Sequence, residues 1–180
     1  MVIDDLLAAV EHDERLDPFA AALGRSAVAL AGSPVGPVLQ GRWLGHSLHP
    51  LMTDIPIGCW TCAAMLDVVG GRGARAASTR LVGLGTLSAL PTAVTGLASF
   101  ATVDEADDAS RRVAALHVAC NLAAIGTYSI SWHDRRRGRR VRGLGWSVVG
   151  AVVATVAGHL GGHLAFVRGV GHGSATGGRR

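Results

Sequence analysis

The chain has no lysine: all 17 of its basic residues are arginines. Aromatic residues make up only 4% of it, and the arginines lack the aromatic interleaving of a surface that grips nucleic acid. Cysteine is equally sparse. Cys59, Cys62 and Cys120 all fall within apolar stretches, which argues against a disulfide framework. Cys59 and Cys62 match C-x-x-C, but no βαβ pattern surrounds them, so they read as small thiols packing between helices. The opening MVIDDLLAAVEHDE has neither the basic region nor the apolar run of a cleaved signal peptide. Insertion into a membrane would therefore rely on internal segments. Charge is also scarce, at 17%.

Apolar residues take the place of charge. They form 49% of the chain, and the mean hydropathy is +0.34, values that suit a membrane protein better than a soluble one. Residues 3–23 carry apolar positions at helical spacing, interrupted by acids and by Pro18, and predict an amphipathic helix at the membrane surface. A loop with Pro34 and Pro37 follows over 32–41. Four apolar stretches then predict spans over about Leu51–Val69, Leu81–Phe100, Val113–Trp132 and Leu144–Phe166. Each is close to the ~20 residues that a hydrocarbon core requires. The expected fold is all-α: an integral membrane four-helix bundle over 41–167, an amphipathic segment and loop over 1–40 before it, and a flexible glycine-rich tail over 168–180.

The arginines orient the spans. Arg72, Arg75 and Arg80 follow the first, and the run Asp134-Arg-Arg-Arg-Gly-Arg-Arg-Val-Arg142 follows the third. The positive-inside rule places these two loops in the cytoplasm and both termini outside a multi-pass protein of the cell's inner membrane. Asp67, near the first of these loops, is expected to partner loop arginines.

Histidine inside a span is costly and marks function. His159 and His163 lie four apart, on one helix face, among Gly158, Gly161 and Gly162. Rise per residue puts His117 level with His159, and His49 with His163 at a shallower depth. The functional reading of these four histidines is a ligand set. One reading is a b-type haem held between His117 and His159, with His49 and His163 as accessory or alternative ligands. Another is a zinc or iron ion gripped by His159 and His163, with His117, His49 or Asp54 completing the shell. A third is a scaffold in which the histidines only bond across helices. Asp54 is open to three roles: ligand, partner orienting a histidine ring, or helix-start residue. No residue is assigned a catalytic role.

Leu48-His-Pro50, Asp54-Ile-Pro-Ile-Gly58, Ala115-Leu-His117 and Gly158-His-Leu-Gly-Gly-His-Leu164 together resemble the domain-of-unknown-function 2231 family, bacterial four-helix membrane proteins, over about residues 40–170. Some members carry a Rieske iron–sulfur domain after the fourth helix. The resemblance implies the bundle and, through that association, electron transfer. With the haem reading, the electrons are expected to pass near the outer face to a quinone or a separate iron–sulfur protein, and the protein is expected to meet the lipid bilayer and to allow a homo-oligomer. Asp54 stands where many members have a second histidine in the first helix, and no Rieske ligand pattern follows residue 170.

Overall fold

A computed structural model describes residues 2–103 and 107–170. The centre of the acidic loop, at 104–106, and the tail with His172, at 171–180, lie outside the described residues. The described residues form helices and turns without a strand: α1 (Val2–Glu11), α2 (Asp17–Ala31), the short α3 (Gly36–Leu39), then α4 (Leu48–Val69), α5 (Arg75–Phe100), α6 (Asp108–Arg136) and α7 (Arg140–Gly162). Helices α4 to α7 are 22 to 29 residues long. Among the described residues, four helices are long and apolar enough to cross a membrane. The amphipathic segment is two helices, because a 3₁₀ turn at Glu14–Leu16 interrupts it and Pro18 opens α2, where its missing N–H costs nothing. The helix ends overrun the predicted spans, since arginines and acids extend α5 and α6 by a turn or more beyond their apolar runs.

Two compact units divide the chain. One comprises 1–49, 94–118 and 157–180; the other comprises 50–93 and 119–156. In both, the buried positions are mostly small. Ala27, Ala98, Ala115 and Ala157 are buried in the first unit, and Ala63, Ala89 and Ala124 in the second. Large apolar side chains such as Leu84, Leu87, Val148 and Val152 stay exposed. A lipid solvent inverts the usual rule in this way: tails solvate leucine as well as a protein core does, so helices associate through small residues that let backbones approach.

The second unit is built around Trp60, stacked on Tyr128 with centroids 4.0 Å apart and planes 8° from parallel. Val82, Ala63 and Ala89 close the cluster. The Trp60 indole nitrogen is buried without a hydrogen-bond partner among the described residues. Pro56 lies within α4 and cannot donate to the Met52 carbonyl four residues earlier. The Thr92 hydroxyl of α5 donates to that carbonyl at 3.1 Å, so the proline opens a polar group that the neighbouring helix satisfies.

At the arginine-rich end of this unit, Asp67 accepts from Arg135 twice (2.7 and 3.1 Å), from Arg140 (2.7 Å) and from Ser78 (2.6 Å). Ser131 and Ser147 take two further Arg135 donors. The Arg135 side chain is 1% exposed and that of Asp67 8%. The expected pairing of Asp67 with arginines is therefore met, as a buried network. Asp134, also buried, is held by Arg142 at 2.6 and 2.9 Å.

The first unit ties the N-terminal helices down by charge. Arg112 grips Asp17 through two bonds of 2.6 and 2.8 Å and donates to the Glu11 carbonyl. The Arg112 guanidinium holds the Asp17 carboxyl below its ordinary value. Arg168 donates to Asp107 and to Ser110. Burial alone would raise the Asp107 carboxyl, but the Ser110 bonds and Arg168 outweigh it and hold it low.

Candidate functional site

The first unit brings two of the four candidate histidines together. A 3₁₀ turn at Arg42–Leu44 is bracketed by Gly41 and Gly45, both left-handed (φ 73° and 77°). A β-carbon would strain either position. This sharp turn delivers His49 to the first turn of α4, where its Nδ1 meets the Thr95 hydroxyl of α5 at 3.4 Å. His117, on α6, stands with its ring centroid 6.2 Å from that of His49, and the planes lie 86° apart. Both rings are half-buried.

The His117 Nδ1–H donates to the Ala157 carbonyl of α7 at 2.8 Å. A carbonyl only accepts, so this bond fixes the proton on Nδ1, and in the neutral ring the lone pair is on Nε2. Metal-binding imidazoles are commonly oriented by such a bond from the other ring nitrogen. Each ring also rests on a glycine of a neighbouring helix. A β-carbon on Gly96 would come within 2.8 Å of the His49 ring, and one on Gly161 within 2.9 Å of the His117 ring. Both glycines therefore shape the pair.

The other candidates go elsewhere. His163 opens a π-helical turn (His163–Val167), and its Nε2–H donates to the Glu11 carboxylate of α1 at 2.9 Å. His159, one turn earlier on α7, is exposed. Asp54 is exposed in the second unit. Among the described residues no group of three or more histidine, cysteine or acidic side chains could hold a metal ion. The H-x-x-x-H pair thus divides its labour, with His163 clasping the N-terminal segment.

Sequence reasoning passed over Thr95, Gly96 and Glu11. A signal for Thr95 exists: Ser88, Thr92, Thr95 and Ser99 recur at helical spacing along α5. Thr92 bonds Met52, Thr95 meets His49 and Ser99 meets Ser47, all on α4 or just before it. Glu11 carried no such signal.

Fold and site together define a multi-pass helical membrane protein with a paired-imidazole centre among small residues. The chain belongs to the family described as predicted membrane protein (DUF2231), whose model matches residues 45–174. No curated protein and no solved structure matches it.

Proposed function

We propose that the protein is a membrane redox module that binds one b-type haem through His49 and His117. The observation that carries this reading is the 6.2 Å, near-perpendicular pair with the His117 Nδ1 committed to Ala157. Two imidazoles on opposite sides of one metal stand with centroids about 6 Å apart, given metal–nitrogen bonds of about 2 Å. Two protein ligands also suit a haem, whose porphyrin supplies the remaining nitrogens, better than a bare zinc or iron ion, which needs three or four from the chain. A bound haem would supply one-electron chemistry. The chain's own part is to orient the two rings, through Ala157 and Thr95, and to admit them against Gly96 and Gly161.

In this reading the arginine-rich loops face the cytoplasm and both termini lie outside. His49 and His117 would then stand toward the outer face, where a quinone or an iron–sulfur protein would be the electron partner. His49 and His117 would hold the haem, and His159 would not be needed.

The test is a reduced-minus-oxidised spectrum of the detergent-purified protein, expressed with haem supplied. A Soret band is expected, lost in His49→Ala and in His117→Ala and kept in His159→Ala. A colourless wild-type protein would leave the histidines as a helix–helix contact and refute the proposal.

A further inference from the structure

The second unit carries a feature that the redox reading does not use. Two clefts of about 470 and 380 Å³ share Trp132 and Arg136 as walls. Thr79, Arg80, Leu84 and Leu87 of α5 complete the smaller cleft. His133 and Arg137 help to line the larger. Both are open surface grooves rather than enclosed cavities.

Trp132 packs against Gly83, where a β-carbon would come within 2.5 Å of the indole. The Arg136 guanidinium stands 5.4 Å from the Trp132 ring centroid, a cation–π contact that holds the charge over the cleft. Below it, Leu84 and Leu87 are 55% and 52% exposed, an apolar strip on a span. Trp132 is of the residue type that settles at the membrane–water boundary.

The charge is unbalanced. The nearby acids are already committed, Asp67 to Arg135 and Arg140, and Asp134 to Arg142 and Arg139. Arg80, Arg136 and Arg137 form no ion pair among the described residues. An anion from outside the chain is what these arginines lack, and the exposed leucines beneath them want an acyl chain.

We infer that this cleft binds one anionic phospholipid, its phosphate between Arg80 and Arg136 and its acyl chain along Leu84 and Leu87. Arginine recognises phosphate by paired, charge-assisted donors, and basic pockets between membrane helices take anionic headgroups.

The test titrates phosphatidylglycerol into the delipidated protein in detergent, read by native mass spectrometry and by melting temperature. Phosphatidylcholine and inorganic phosphate are the comparison probes. Phosphatidylglycerol should be retained and should raise the melting temperature, whereas phosphatidylcholine should do neither. Arg80→Gln with Arg136→Gln should weaken retention by roughly tenfold or more. Arg72→Gln with Arg75→Gln, equal in charge but outside the cleft, should leave it unchanged. Equal retention of both lipids would overturn the inference, as would an equal loss in the Arg72/Arg75 variant. Stabilisation by inorganic phosphate matching that by the lipid would assign the arginines to a soluble anion and overturn the lipid assignment.

Discussion

Replacing Thr92 by valine isolates one hydrogen bond between two membrane helices. The substitution keeps the branched shape and removes the donor. In the native chain the Met52 carbonyl receives nothing from residue 56, which is proline, and takes the Thr92 hydroxyl at 3.1 Å. Thr92→Val leaves that carbonyl without its interhelical donor, and a buried polar group stripped of a partner costs about 1–3 kcal/mol. The same hydroxyl also contacts the Ser88 carbonyl of its own helix at 2.9 Å. That carbonyl retains its backbone environment, so the lower half of the range applies, about 1–2 kcal/mol. For a chain of this size it corresponds to a fall of roughly 2–8 °C in melting temperature. In a Pro56→Ala background the restored N–H of residue 56 reaches the Met52 carbonyl along the helix, and Thr92→Val should then cost less than about 0.5 kcal/mol. The assay is a double-mutant cycle on detergent-solubilised protein, followed by thermal unfolding. A coupling energy of about 1 kcal/mol is expected. Equal losses in the two backgrounds would refute the argument that proline and threonine form one unit.

Three further outcomes follow from the same geometry. Asp67→Ala strands Arg135, whose side chain is 1% exposed, and should destabilise the protein by about 3–5 kcal/mol, whereas joint replacement of Asp67 and Arg135 by apolar residues should recover most of the loss in chemical denaturation. Gly161→Val places carbon against the His117 ring, already 2.9 Å from a β-carbon there, and should cost about 1–3 kcal/mol; in the haem-loaded protein it should also shift the Soret band, while Gly158→Val, with nothing within 4 Å of its β-carbon, should do neither. Asp17 has a folded pKa below its ordinary 3.8 because Arg112 grips it. Its contribution is therefore complete above that value and is lost as pH falls through the folded pKa. The difference in melting temperature between wild type and Arg112→Gln should stay level down to roughly pH 5 and shrink below roughly pH 4.

The four spans were legible because ~20 apolar residues in a row have few alternatives to crossing a bilayer. Their interior faces were not. A helix that is apolar all round carries no stripe to reveal which side meets protein and which meets lipid, so His159 could not be told from a buried residue although it is exposed. Depth was legible for backbones but not for rings. Rise per residue levels the backbones of His117 and His159, yet every β-carbon leans toward the N-terminus of its helix. On antiparallel α6 and α7 the two side chains lean opposite ways. On α4 and α6, which run the same way, His49 and His117 lean together, and these are the rings found 6.2 Å apart. The amphipathic character of the N-terminal segment is legible in its sequence, but its tether is not. Glu11 and Asp17 meet His163 and Arg112 across about a hundred residues or more of sequence, and no local pattern encodes such a contact.

The rings seated on glycines have a mechanical consequence. His49 on Gly96 and Trp60 on Gly85 join α4 to α5; Trp132 on Gly83 joins α5 to α6; Tyr128 on Gly150 and His117 on Gly161 join α6 to α7. Each ring meets a position where a single β-carbon would not fit, and the residues on both sides of Gly83, Gly85, Gly96 and Gly150, and Leu160 before Gly161, carry one. Sliding any of these helices lengthwise by one residue would drive a flat ring into a side chain. The pairs therefore act as detents, fixing axial register the way a key fixes a shaft. Any motion that slid these helices lengthwise past their neighbours would first have to unseat these rings.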